Sequence, residues 1–370
     1  MKPPGALKPF SKKRRICWQN PKLINIFVHL KISQKISGPL VSVILPFHRA
    51  GKKLDEAILS IVNQTFGDWE LVLVNNNACE ASCGIAKRWT KTDRRIILVN
   101  EPVQSVACAM NTGIRQARAD LIARMDADDI SLPDRLQKQV EHMSQHPSTG
   151  ALATQSIFKS EIANSKGFSL YADWQNSLIT HREHYLAQFV ESPLAQPTIM
   201  FRKELIDLYG YYNTENLPED YELWLRWFEQ GVRFYKIPET LVQWNDHSER
   251  LTRTNSNYSA DAFLHVRYKY LSRWLKKNIT PGKKIIVCGS SKNIIRKAEH
   301  LAALGIRIFG FTDVKPKSSP DLNIIPYQEL TNPKKYFILN LISKRGVGQA
   351  IRRHFKKLGF TEGKDFLLAG

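Results

Sequence analysis

Three carboxylates within four residues, Asp126-Ala127-Asp128-Asp129, are the feature of this 370-residue chain with most chemical meaning. Like charges packed so closely repel one another and destabilise a fold that offers no counter-charge. A divalent cation resolves the conflict, because hard oxygen ligands suit Mg²⁺ or Mn²⁺ and such an ion also bridges to phosphate oxygens. Read alone, the run also fits an acidic loop capping the helix expected after Pro133. A second cluster, Pro218-Glu219-Asp220, stands where a helix with Leu223, Trp224 and Trp227 on its buried face begins. Acidic residues favour a helix N-terminus for dipole reasons alone. The alternative is that one of the two carboxylates faces a pocket as a general base. A third cluster joins His247, directly after Trp244-Asn245-Asp246, to Arg250 and Arg253. A lone histidine is more often structural; one flanked by an acid and two arginines can complete a metal site and bind diphosphate oxygens.

The elements that must position these groups alternate. Val41 to Leu45, Trp69 to Val74, Ile96 to Val99 and Leu121 to Met125 are apolar strands, with helices at Leu54 to Asn63 and Asn111 to Arg118. That alternation implies βαβ units and a mainly parallel sheet, whose ligands lie beyond the carboxyl ends of its strands. The polar clusters follow strand ends: His48 and Arg49, Asn75 to Asn77, and Asp126 to Asp129. Residues 151 to 255 read as mixed, with a helix at Asp220 to Gln230 and strands at Phe234 to Ile237 and Thr240 to Trp244. A helix from Asp261 to Leu275 leads to Pro281-Gly282, a domain boundary. A second βαβ pattern follows, with strands at Lys284 to Gly289, Ile306 to Asp313 and Tyr336 to Ile342, and helices at Asn293 to Leu304 and Val347 to Leu358. The expected organisation is a basic arm at 1–38, an α/β domain at 39–280 and a smaller α/β domain at 281–370.

Composition excludes several classes. With 43% hydrophobic and 24% charged residues the chain is globular in type, and no apolar run approaches the roughly 20 residues that span a bilayer. No signal-peptide pattern follows Lys12, Lys13, Arg14 and Arg15, and five scattered cysteines suit reduced thiols; a cytoplasmic protein is expected. The net charge of +20 is uneven: residues 1 to 40 carry +9, residues 281 to 370 carry +11, and the segment between is neutral. A nucleic-acid enzyme would place positive charge along its working groove, so no nucleic-acid partner is expected. Basic ends suit an anionic membrane surface or a phosphate-bearing acceptor, and equally a plain solvated surface.

Taken in order, Val41 to Phe47, Val74-Asn-Asn-Asn77, Ala107-Cys-Ala-Met-Asn111-Thr-Gly113, Arg124-Met-Asp-Ala-Asp-Asp129, Pro133-Asp-Arg135-Leu136 with Gln139, Pro197 to Arg202 and Pro218 to Arg226 resemble family 2 glycosyltransferases. Bacterial members with a late Trp-x-Asp-His-x-x-Arg-x-x-Arg segment are especially similar. The match spans about residues 40 to 260. The resemblance implies a GT-A fold, a nucleotide-binding α/β sandwich, and inverting transfer from a nucleotide-diphospho-sugar, a UDP-sugar by preference. The acceptor implied is a cell-surface glycan or a lipid-linked sugar, met at the inner face of the cytoplasmic membrane. It implies that Asp128 binds Mn²⁺ or Mg²⁺, with Asp126 on the ribose or the metal and His247 completing the set. Asp220, with Glu219 beside it, would be the catalytic base. Pro46 and Asn75 would border the base, and His48, Asn77, Asn111, Arg124, Arg250 and Arg253 would line the nucleotide-sugar site. Asn75 stands where the family usually has Asp, Gln196 where His is common, and Ser105 and Asp120 where Gly is usual.

The C-terminal segment from about 282 resembles small Rossmann-like modules appended to some of these bacterial transferases. Gly289-Ser290-Ser291-Lys292 lacks the later glycines of a dinucleotide fingerprint, although Asp313 falls where a ribose-binding acid would. A structural or docking role fits better than NAD(P) binding. Two further readings follow: an NAD(P)-dependent oxidoreductase acting through this segment, and a non-catalytic scaffold docked on anionic membrane.

Overall fold

The computed structural model describes residues 38–163, 165–314 and 322–370. The expected basic arm, apart from Gly38, and a short amphipathic helix at Lys22 to Lys35 lie outside them. Strands β1 (Val41–Phe47), β2 (Trp69–Asn75), β3 (Ile96–Asn100) and β4 (Leu121–Arg124) run parallel, and helices α1 (Lys52–Val62), α2 (Glu80–Thr92) and α3 (Val106–Gln116) connect them. β5 (Ile130–Ser131), α4 (Arg135–Gln145), β6 (Thr149–Ser160), α5 (Lys166–Asn176), α6 (His181–Ala187), β7 (Met200–Arg202), α7 (Glu204–Tyr209), α8 (Glu219–Glu229) and β8 (Arg233–Asp246) complete an eight-stranded mixed sheet of order β3-β2-β1-β4-β7-β6-β8-β5. After α9 (Leu251–Thr254), the 19-residue α10 (Ala260–Asn278) leads to a second, parallel sheet. Its strands β9 (Lys284–Cys288), β10 (Ile308–Thr312), β11 (Tyr336–Asn340) and β12 (Phe366–Leu368) stand in the order β10-β9-β11-β12. Helices α11 (Lys292–Ala303) and α12 (Val347–Lys357) flank it. The architecture is thus a GT-A-like α/β fold with a small Rossmann-like sheet. Among the described residues no helix is long and apolar enough to cross a membrane.

Alternation along β1 explains the layering. Val41, Val43 and Leu45 pack with Leu54, Ile58 and Ile61 of α1 and Leu136 of α4. Ile44, between them in sequence, faces the opposite side with Met110 and Ile114 of α3 and Trp224 and Trp227 of α8. Both sheet faces are covered, so the central strands read as continuous apolar runs. α8 has two apolar faces: Tyr221 and Leu225 turn away from the large sheet and join Val266 and Leu271 of α10 and Val287 and Leu339 of the small sheet. α8 therefore contributes to two apolar clusters, one on the large sheet and one shared with α10 and the small sheet. Trp274 seals the second, donating Nε1–H to the Tyr185 hydroxyl at 2.6 Å with its ring centroid 6.2 Å from that of Phe337.

Several boundaries differ from the sequence reading. Phe234–Ile237 and Thr240–Trp244 belong to one strand, β8, because the long partner β6 carries the ladder past Pro238 through register shifts. β6, α5, α6 and β12 were not anticipated; β6 is half exposed beyond Thr154, which blurs its hydrophobic period. α3 starts five residues before Asn111, because Ser105 caps it by accepting from Cys108 N. Cys79, Cys83, Cys108 and Cys288 are free thiols.

Gly113 lies where α3 crosses β1 and β2. A Cβ there would sit 2.4 Å from Ile44 Cγ2 and 3.0 Å from Val74 Cγ2. Alanine gains about 1 kcal/mol of helix propensity, but overpacking a closed core costs about 1–3 kcal/mol. Gly113→Ala is therefore expected to lower the urea midpoint of unfolding while leaving the denaturant slope unchanged.

Candidate active site

The carboxyl ends of β1, β2 and β4 open into one cleft of about 2150 Å³, which continues past α5, α6 and α10 to the ends of the small sheet's strands. Single ligand pockets hold roughly 300–1,000 Å³, so the cleft has room for two substrates. Pro46, His48, Arg124, Asp126, Asp128, Glu219, Asp220, His247 and Arg250 all line it.

The acidic run leaves β4 under tight control. Arg135, fully buried on α4, donates from Nη2 to the Arg124 carbonyl at 2.8 Å and the Ile199 carbonyl at 3.3 Å, and from Nε to Gln139 Oε1 at 3.1 Å. Gln139 in turn donates to the carbonyls of Leu152 and Thr198. Burial is so severe that the Arg135 guanidinium is depressed to about 9. This side chain fixes the strand end from which Arg124 and Asp126 project, pairing as an ion pair over the cleft.

Asp126, Asp128 and Asp129 each offer one oxygen, and those oxygens lie within 4.8 Å of one another. Asp128 accepts from His247 Nε2 at 2.8 Å. Asp129 is buried; its Oδ1 accepts from Asn245 N at 2.8 Å, while Oδ2 is buried without a partner. Desolvation and then repulsion from Asp128 and Asp126 push the Asp129 carboxyl well up. Desolvation also raises Asp126, against the pull of Arg124. At Asp128 desolvation is outweighed by the His247 hydrogen bond and the charges of Arg250 and His247, leaving its carboxyl below the ordinary range. An unpaired buried oxygen amid three crowded carboxylates fits a hard divalent cation. Arg250 stacks over the Trp244 ring at 4.3 Å, and its Nη1 is buried without a partner. Cations and acids thus face each other across the strand ends.

Glu219 and Asp220 open α8 on the same cleft. Glu219 is buried and accepts from the Tyr258 hydroxyl at 2.7 Å. Desolvation and then its neighbour Asp220 push its carboxyl up to about 8. Asp220 is raised by desolvation to about 6, against the hydrogen bond from Tyr221 N at 2.6 Å and the charge of Arg124. At neutral pH the pair therefore divides its labour: Glu219 holds a proton and Asp220 is ionised.

Four expected site residues are not brought to the cleft wall. Asn75 donates to Asn100 Oδ1 at 2.9 Å and accepts from Ala78 N at 2.8 Å, closing its own loop. Asn77 adopts φ 57° and donates to the Pro102 carbonyl. Asn111 is buried, its amide clamped on the backbone of Tyr212 at 2.9 and 3.0 Å. Arg253 forms a two-pronged pair with Asp246, at 2.9 and 2.6 Å. In their place the cleft receives Asn76, whose amide holds the loop at Glu101, Val103 and Ser105. Of the three consecutive asparagines only Asn76 is buried, and nothing in the run itself marks it out, since β2 ends at Asn75. Tyr258 was missed because nothing local marks it. In the small sheet, Asp313, just after β10, accepts from both N and Oγ of Ser290 at 2.9 Å, so the acid expected to reach a dinucleotide ribose is tied to the turn after β9.

Residues 42–210 match the family described as Glycosyl transferase family 2. The chain is 31% identical over 235 residues to EpsE of Bacillus subtilis, covering 62% of this chain and 81% of that protein. It is 30% identical over 247 residues to the O-antigen biosynthesis glycosyltransferase WbnJ of Escherichia coli, covering 64% and 90%. The structure of Staphylococcus aureus TarS 1–349 in complex with UDP-GlcNAc shares the fold at 15% identity, with a TM-score of 0.52 over 71% of this chain and 70% of that one.

The raised Glu219 carboxyl ties stability to pH. The native chain keeps a proton that the unfolded chain releases above about 4.5, so stability is expected to fall as pH rises from there towards about 8. Urea midpoints at pH 5, 6.5 and 8 should show this decline, and Glu219→Gln, which cannot ionise, should flatten it.

Proposed function

The chain belongs to glycosyl transferase family 2 and is a glycosyltransferase, and on that premise we propose that it transfers a sugar from a nucleotide-diphospho-sugar to a glycan or lipid-linked acceptor, with inversion and with a divalent cation. The observation that carries the proposal is one cleft that receives Asp126 and Asp128, crowded against the buried Asp129, together with the ionised Asp220, with the Arg124 guanidinium acting on both groups. Asp126 and Asp128 would hold Mn²⁺ or Mg²⁺, with His247 fixing Asp128; a bound cation neutralises charge on the departing diphosphate. Arg250, with its free Nη1, supplies a further donor to that diphosphate. An acceptor hydroxyl is far too weak an acid to ionise alone at neutral pH. Asp220 takes its proton as the new C1–O bond forms, which is general-base catalysis. Attack from the face opposite the leaving group inverts the anomeric carbon in one displacement.

Glu219 is the less suitable base: it carries a proton at neutral pH and its oxygen is engaged by Tyr258. Its part is to exclude a second negative charge from beside Asp220. The acceptor class follows the relatives named for surface polysaccharides, such as WbnJ. Such an acceptor would be met at the inner face of the cytoplasmic membrane, where the basic residues 281 to 370 suit an anionic surface.

A panel of nucleotide sugars assayed for diphosphate release with Mn²⁺ tests the reading. Asp220→Asn should lower release by about 10²- to 10⁴-fold while leaving metal-dependent nucleotide binding intact by calorimetry. Asp128→Ala should lose that binding. The wild-type rate should rise with pH through about 6, as Asp220 ionises. Absence of metal-dependent nucleotide binding in the wild type would overturn the proposal.

A further inference from the structure

The half of the cleft away from the acidic run is lined by the C-terminal sheet. Arg296 and Lys297 reach it from α11, Lys344 and Arg345 from the loop after β11, and Arg267 from α10. Lys297 is only 8% exposed, and its ammonium donates to the Leu341 carbonyl at 2.9 Å and to Ser343 Oγ at 2.8 Å. Both are neutral, and no carboxylate pairs with it among the described residues. A buried ammonium without a counter-ion is costly, which makes this wall a place where an anion is missing. Arg267 adds an Nε buried without a partner, and Arg296 and Lys344 are exposed cations in no ion pair among the described residues. Glu191, exposed on the same wall, lies near Arg267 and Arg345 and offsets one of the five positive charges, which leaves the wall net positive.

The wall is held rigidly in register with the chemistry. Tyr258, bonded to Glu219, precedes α10 by two residues, and Arg267 lies two turns along that helix. At 1.5 Å per residue this puts the cationic wall on the order of 10 Å beyond the start of α10. Arg345 also donates to the Gly167 carbonyl in the first turn of α5 at 3.1 Å, tying the small sheet to the cleft's other wall. Between the two ends, Phe263 and Leu264 present apolar surface. In the proposed reading Asp126, Asp128 and Arg250, at the strand ends of the large sheet, hold the donor diphosphate. A second anion site at this distance therefore serves the other substrate.

Building on the proposed transferase reading, we propose that the C-terminal sheet forms the acceptor subsite, and that it binds a phosphate or diphosphate ester carried by the acceptor through Arg267, Arg296, Lys297, Lys344 and Arg345. The reactive hydroxyl then lies at Asp220 while the anion is held by the neighbouring wall, so the C-terminal sheet selects acceptors by charge. Its role is in substrate choice and not in dinucleotide chemistry.

Calorimetry on the full chain tests this with farnesyl diphosphate, inorganic diphosphate and farnesol, in EDTA so that the bare carboxylate run repels anions. Farnesyl diphosphate is expected to bind the wild type. The surface double variant Arg296→Glu/Lys344→Glu should weaken it at least tenfold, and salt should weaken it further. Farnesyl diphosphate binding well above inorganic diphosphate would assign the phosphate to a lipid-linked acceptor; equal binding would assign it to a glycan phosphate. Farnesol binding as tightly as its diphosphate, or the double variant binding like wild type, would overturn the inference. Nucleotide binding with Mn²⁺, measured in parallel, reads the transferase proposal separately and should be the same in the double variant.

Discussion

The guanidinium of Arg124 is a buried cation at the end of a central strand, and the arrangement of the acidic groups around it depends on that charge. It pairs with Asp126 and acts on Asp128, Glu219 and Asp220, acids contributed by two elements almost 100 residues apart. Without it, Asp126 would lose its ion-pair partner and Asp220 a nearby cation, leaving His247 and Arg250 as the cations acting on the acidic run, and charge repulsion in a poorly solvated site would favour protonation or separation. Arg135 and Gln139 fix the backbone on either side of Arg124 by taking up carbonyls at the strand's end. The outcome is graded acidity: Asp128 low, Asp220 near 6, Glu219 near 8.

That gradient gives adjacent residues of the same chemical type different work. Glu219 and Asp220 are neighbours on one helical turn, but only Glu219 is fully covered and bound by Tyr258. Environment decides which of them is ionised at neutral pH, and so which suits the base of the proposed transfer. The same helix, α8, buries Trp224 and Trp227 against the large sheet and Tyr221 and Leu225 against α10. It therefore links the chemistry to the small sheet through continuous packing, where a flexible tether would leave their spacing undefined.

Much of this organisation was legible in the residues. The parallel strands announced themselves as apolar runs because both faces of the large sheet are covered, and the polar clusters at their ends marked the cleft. Of the expected site residues, Pro46, His48, Arg124, Asp126, Asp128, Glu219, Asp220, His247 and Arg250 line it. Asn75, Asn77, Asn111 and Arg253 do not, since an amide or guanidinium serves a loop closure, a backbone clamp or an ion pair as readily as a ligand. No spacing rule separates those uses, because the partners lie as far as 101 residues away. β6 went unread because its outer half is exposed and its pairing is long-range.

By itself, then, the sequence determined the βαβ grammar, the acidic run at a strand end, and the carboxylate pair at a helix start, because these rest on local periodicity and on charge close in sequence. Only the tertiary structure decided which acid is ionised, that Tyr258 meets Glu219, and that the basic C-terminal segment shares a cleft with Asp220. Each of those depends on how far a group is removed from water and on contacts between distant segments, and both are set only when the layers pack.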